Sequence, residues 1–150
     1  MDLDLTTPPT AEEAKYGADY KASHFNKREI LAGESEEALQ IAVVGYIRTY
    51  YPEAILISSY LQGNLNNVGL SIKSNMMGYT AGFPDLFLCT PRNGFHGLFL
   101  ELKNGSKGVV SEKQKTIMDM LIKQGYAGGV VKTFESAKTL INNYMNINEI

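Results

Sequence analysis

Cysteine is nearly absent from this 150-residue chain: Cys89 is the only one, and a disulfide framework is thereby excluded. Cys89 ends the apolar run Leu86-Phe87-Leu88, so a buried strand is expected there, with the thiol in the core. Histidine is almost as scarce. His24 and His96 stand far apart and show no zinc-ligand spacing, so neither is assigned to a metal. Long hydrophobic runs are missing too, and no secretory leader is visible, so an intracellular, cytoplasmic protein with no membrane attachment is expected. Excess positive charge is lacking. The formal net charge is -2, which gives no bulk attraction for nucleic acid and leaves any such binding to local basic patches. The chain shows no internal repeat and no second domain.

What is present is ordinary for a globular protein: 44% apolar and 20% charged residues, in a chain long enough for one domain with a sizeable core. Residues 1–34 read as a polar, partly irregular arm. Pro8 and Pro9 suggest an extended lead-in, and Thr10 with Glu13 a capping box. Lys21, His24, Lys27 and Arg28 form a weakly basic cluster, read as a solvated arm in preference to a DNA contact. Residues 35–150 read as the folded domain.

Within that domain Ser35 is the expected N-cap of a helix running to about Tyr50, with Glu36 and Glu37 in the first turn and a stripe of Leu39, Val43, Tyr46, Ile47 and Tyr50. A strand is expected over Ala54–Tyr60, then a Gly/Asn-rich loop over Gln62–Asn67. A short helix over Val68–Met77 would present Val68, Ile72 and Met76 on one face and end at Gly78. Ser111-x-x-Gln114 is a capping-box pattern opening a helix to Gln124, with Gly125 just past its end. A strand over Gly128–Lys132 and a helix capped by Thr133, facing inward through Phe134, Ala137, Leu140 and Ile141, complete the chain. The order predicts an α/β fold, a mixed central sheet flanked by helices.

Between these elements lie two apolar strands, Gly82-Phe-Pro-Asp-Leu-Phe-Leu88 and Gly97-Leu-Phe-Leu-Glu-Leu-Lys103, joined by the turn-rich Pro91-Arg92-Asn93-Gly94. An antiparallel hairpin is the simplest expectation. Side chains alternate across a strand, so Phe99, Glu101 and Lys103 share one face and Leu98, Leu100 and Leu102 the other. Asp85 shares its face with Phe83 and Phe87. Charged groups in strands built for burial are costly unless paired or bound to a metal. Two carboxylates and a lysine suit a hard divalent cation, Mg²⁺ or Mn²⁺, with Lys103 orienting a water or meeting developing charge. An ion-pair patch at the end of a sheet is the alternative for so short a pattern.

Pro84-Asp85, fifteen residues, then Glu101-Leu102-Lys103 resembles the PD-(D/E)XK nuclease signature. In its ordered set of pieces the chain is similar to the VRR-NUC branch. Those pieces are Glu36-Glu37-Ala38-Leu39-Gln40, Gly82-Phe83-Pro84-Asp85-Leu86, Leu100-Glu101-Leu102-Lys103, Ser111-Glu112-Lys113-Gln114, and Leu121 with Gly125-Tyr126. The resemblance covers roughly residues 35–145. It implies a restriction-endonuclease-like core and a metal-dependent endonuclease acting on DNA, including branched or four-way DNA. Asp85, Glu101 and the Leu102 carbonyl would ligate the ion together with a glutamate of the first helix. Either Glu36 or Glu37 can share the face of Gln40, and Glu36 is favoured; the alternative for both is simply to cap a helix. The resemblance also implies that Gln114 reaches the site, against its local role as a capping residue, one amide being expected to serve only one of these fully. Lys107, Lys113 and Lys115 are candidate DNA contacts, and Gly82 either lets the backbone approach the site or DNA closely or merely turns the chain. Small stand-alone members, often from phages and then working in the host cytoplasm, resemble junction-resolving enzymes that act as homodimers. From another class, a catalytically silent nucleic-acid-binding or protein-interaction module on the same fold is the alternative.

Overall fold

In the computed structural model of the chain, residues 35–59, 68–105 and 107–146 are described. The expectations for residues 1–34, for Tyr60, for the Gln62–Asn67 loop and for the side chain of Val68 lie outside them.

The described elements run in the order α1 (Glu36–Tyr50), β1 (Leu56–Ser58), α2 (Val68–Met76), β2 (Leu86–Leu88), β3 (Leu98–Leu102), α3 (Glu112–Lys123), β4 (Ala127–Val131) and α4 (Phe134–Asn146). By packing, the chain divides into two compact units interleaved in sequence. One takes the described residues of 1–54, 102–108 and 131–150; the other takes 55–101 and 109–130.

In the first unit, α1 begins where the sequence puts its cap: Ser35 Oγ accepts the Ala38 N–H at 3.0 Å. Its buried stripe is Ala38, Leu39, Ala42, Val43, Tyr46 and Ile47. The alanines let a neighbour come close, and α4 supplies one. Tyr46 meets Phe134 edge-on at 5.9 Å. The hydroxyls of Tyr46 and Tyr51 both donate to Asn142 Oδ1 at 2.7 Å, which satisfies polar groups at the edge of this apolar contact. Helix α4 opens with reciprocal bonds between Thr133 and Ser136 and buries Phe134, Ala137, Ile141, Tyr144 and Met145.

The second unit carries the sheet, in the order β1-β2-β3-β4, except for the final residues of β3 and β4, Leu102 and Val131, which belong to the first. Strands β1, β2 and β3 are successively antiparallel. Bonds flanking β3 and β4 ascend together, from Ala127 N–H to Gly97 O and from Lys103 N–H to Val131 O. Strand β4 is therefore parallel to β3, and α3 makes the crossover that a parallel pair requires. The sheet is mixed, as expected. The hairpin turn sits one residue later than the sequence suggests. Arg92 and Phe95 exchange both backbone bonds, and Asn93 (φ 51°) and Gly94 (φ 81°) are the central pair. Two positive φ values make the primed turn whose twist matches paired strands, and Asn-Gly is the dipeptide that tolerates it best.

Three other expectations are corrected. The face of α2 is not a core face: Ile72 is exposed and Met76 is 84% exposed. Strand β1 covers only Leu56–Ser58 of the longer run predicted, and Ile55 and Ile57 are exposed. Cys89 is half-buried just past the end of β2 rather than in the core, and burial raises its thiol above the ordinary value, leaving little thiolate. Among the described residues no helix is long and apolar enough to cross a membrane.

Candidate active site

The register of the hairpin builds the site. Leu86 pairs with Leu100, Phe87 with Phe99 and Leu88 with Leu98. One step further toward the start of β2, the same register sets Asp85 opposite Glu101. On the other flank Ser58 pairs with Leu86, and the ladder continues with the Ser59 N–H donating to Asp85 O at 2.9 Å. Opposed residues in an antiparallel pair present their side chains to one face, so Asp85 and Glu101 are cross-strand neighbours.

The ring contacts identify that face. Phe87 stacks on Phe99 at 4.1 Å, Phe83 meets Phe99 edge-on at 5.3 Å, and Tyr126 packs against both Phe87 and Phe99. The sequence predicts this sorting: aromatic and acidic residues at odd positions, leucines at even ones. Beside Asp85 the face opens into a cavity of about 240 Å³ lined by Ile57, Ser59, Phe83, Pro84 and Phe87. Asp85 is half-buried, whereas Glu101 is only 2% exposed.

A carboxylate so deep needs donors, and α3 provides one. Gln114 Nε2 donates to Glu101 Oε1. The same side chain completes the cap of α3, its Oε1 accepting the Ser111 N–H at 2.9 Å while Ser111 Oγ accepts the Gln114 N–H at 3.2 Å. The expectation that one amide could not serve both tasks is corrected. Its oxygen caps the helix and its nitrogen holds the carboxylate. Gly82 stands behind this arrangement. It adopts φ 84°, and a methyl group there would lie 2.9 Å from the Lys113 carbonyl carbon and 3.0 Å from the Gln114 nitrogen. Gly82 thus turns the chain at a positive φ, and the backbone it lies close to is that of α3. Ser111 was legible only as a cap, because its consequence for Glu101 depends on which strand α3 lies against.

In the first unit, Lys103 is 8% exposed and its Nζ lies 3.9 Å from Glu36 Oε1, a loose ion pair rather than a hydrogen bond. Of the two glutamates that open α1, Glu36 is therefore the one that faces this lysine. Leu102, between Glu101 and Lys103, has its side chain buried on the leucine face. The lysines expected at DNA are all exposed. Lys107 follows the site strand, Lys113 lies in the first turn of α3, and Lys115 is paired with Glu112 at 2.7 Å.

Among the described residues no three Asp, Glu, His or Cys side chains gather as a ready-made metal cage. The oxygens on offer are those of an opposed carboxylate pair. That donor set fits Mg²⁺ or Mn²⁺, cations that bind through one or two carboxylates and keep several waters, and does not fit a structural zinc.

The family model of the VRR-NUC domain matches residues 53–135. That interval contains Asp85, Glu101, Lys103 and Gln114 and leaves Glu36 outside. Among solved structures, one titled VRR_NUC domain protein is 32% identical, with a TM-score of 0.50, over 52% of this chain. The match spans 64% of that protein's own length. No curated protein matches the chain.

Proposed function

The chain belongs to the VRR-NUC family of nucleases, and from that premise we propose that it is a divalent-metal-dependent endonuclease hydrolysing DNA phosphodiester bonds. One observation carries the proposal: the hairpin register that opposes Asp85 to Glu101 on the aromatic face. Two carboxylates held that close repel unless a cation lies between them or a proton neutralises one. In this role Asp85 and Glu101 would hold Mg²⁺ or Mn²⁺, and the Leu102 carbonyl and Glu36 are the further oxygen donors that the family resemblance implies. Bound there, the ion supplies Lewis acidity toward the phosphodiester and a more acidic water.

The chain's own residues do the rest. Gln114 fixes the orientation of the Glu101 carboxylate. Lys103, two residues along the same extended segment, offers an ammonium to the attacking water or to charge developing on the phosphate. Glu36 Oε1 lies 3.9 Å from that ammonium. Lys107 and Lys113 are exposed and offer phosphate contacts that position DNA without reading its sequence. Branched or four-way DNA is the proposed preference, and a homodimer the proposed assembly, since a two-fold pair presents two sites for paired cuts.

The test uses supercoiled, linear, flapped and four-way DNA with Mg²⁺, with Mn²⁺ and with EDTA, with light scattering on the same samples. Cutting only in the presence of metal, greatest on branched DNA, by a dimeric species is expected. Undiminished cutting by rigorously chelated protein would remove the mechanism. DNA binding with no cutting under any metal would leave the silent binding module as the better account.

A further inference from the structure

We propose that Ser111 and Gly82 are positioning residues of this nuclease site, acting on Glu101 through the divided amide of Gln114; the inference rests on the function proposed above. Gln114 has one oxygen and one nitrogen at its tip, and each has a partner that accepts no substitute. The Ser111 N–H is a donor and needs the oxygen. In the ionised form that the proposed metal-binding role requires, Glu101 is an acceptor and needs the nitrogen. Rotating the amide by half a turn would set donor against donor and acceptor against acceptor, so the two bonds select one orientation together.

The backbone under that side chain is held from two sides. Ser111 Oγ accepts the Gln114 N–H at 3.2 Å, which places Gln114 at the third position of α3. Gly82 lies against the same peptide: a methyl there would stand 2.9 Å from the Lys113 carbonyl carbon and 3.0 Å from the Gln114 nitrogen. These are backbone atoms of a capped helix, which cannot give way as a flexible side-chain tip can. Gly82 also precedes Asp85 by three residues, so a shift there disturbs the lead-in to one carboxylate and the support of the other. The cap of α3 is thereby part of the site, whereas in the comparable cap of α4 Thr133 and Ser136 bond to each other, Thr133 Oγ1 accepting the Ser136 N–H at 3.1 Å.

That contrast supplies the control. The variants are Ser111→Ala, Ser111→Thr, Gly82→Ala and Thr133→Ala in the full chain. Each is read by melting temperature, by the Gln114 side-chain amide resonance in ¹⁵N NMR, by Mn²⁺ titration, and by cleavage rate at saturating DNA beside DNA affinity. Ser111→Ala and Gly82→Ala should move the Gln114 amide resonance toward that of a free glutamine and weaken Mn²⁺ binding. The cleavage rate should fall on the order of tenfold to a hundredfold with little change in DNA affinity, as expected for a small misplacement of reacting groups. Ser111→Thr, which keeps the capping hydroxyl, should restore all three. Thr133→Ala should lower the melting temperature comparably and change neither resonance nor rate. If Gly82→Ala does not fold, the Ser111 pair decides alone. The proposal is overturned if Ser111→Ala leaves the Gln114 resonance in place, or slows cleavage no more than Thr133→Ala does. Should the wild-type chain not cut at all, the function proposed above fails, while the resonance and Mn²⁺ arms still decide whether Ser111 and Gly82 position Gln114 on Glu101.

Discussion

The two faces of the hairpin are made from alternate residues of the same two strands, yet they differ in almost every property. Even-numbered positions carry Leu86, Leu88, Leu98, Leu100 and Leu102, all sealed from solvent. Odd-numbered positions carry aromatics and charge: Phe83 and Phe87 beside Asp85, Phe99 beside Glu101, then Lys103. That second face is incompletely covered, with Phe83 and Ile57 partly exposed around a cavity beside Asp85. Each fully buried leucine contributes about 1.5–3 kcal/mol relative to exposure. A buried carboxylate such as Glu101 works against folding unless its partners compensate. One pleat therefore divides stabilisation from chemistry, and the leucines offset what the charged residues cost.

The comparison predicts that the faces fail separately. The largest effect should follow from Lys103→Ala or Asp85→Asn. Cleavage should fall on the order of 10²–10³-fold, because a group that meets charge in the transition state acts mainly on turnover. Folding, followed by circular dichroism, should stay nearly intact, and so should DNA binding in a gel shift. For Asp85→Asn binding is expected to be unchanged or tighter, as a negative charge leaves the DNA path. A wild-type rate for Lys103→Ala would make the silent binding module the better account. Equal losses of binding and cutting would make Lys103 a docking residue.

A change on the opposite face should act the other way. Leu100→Ala should cost about 2–5 kcal/mol of stability by denaturant titration, through lost burial and the cavity left behind. The cleavage rate per folded molecule should hold. If that rate falls by as much as it does for Lys103→Ala, the faces are not independent and the division fails. The smallest effect is expected beyond both faces. Lys107→Ala should weaken DNA affinity modestly and reduce the slope of log affinity against log salt by about 1. An unchanged slope would remove Lys107 from the phosphate path.

The element order, the hairpin and the odd–even sorting were legible in the sequence because each follows from local signals: period-two alternation, an Asn-Gly turn, and Ser35, Ser111 and Thr133 at helix starts. What was not legible depends on neighbours distant in the chain. The spacing of Ile72 and Met76 specifies a helical face but not whether anything covers it, and here it is exposed. Ser111-x-x-Gln114 specifies a cap but not that Glu101 waits at the far end of the same amide. Gly82 specifies an unusual backbone but not the helix it lies against. Cys89 belongs to an apolar run whose strand stops one residue short of it. Of the two glutamates opening α1, only packing distinguishes the one that faces Lys103.

Because Asp85 meets Glu101 across a ladder, their separation along the chain is set by how far the hairpin extends before it turns back. Residues added in matched pairs to β2 and β3, or any number inserted around Asn93-Gly94, would leave the two carboxylates opposed. A single residue inserted between either acid and the turn, if absorbed within the strand, would rotate that acid toward the leucines. The interval of fifteen residues is thus an incidental length and the pairing is the constraint. A nuclease of this design could carry a much longer arm, even a recognition loop, between its two acids, and a search keyed to the interval would pass over it.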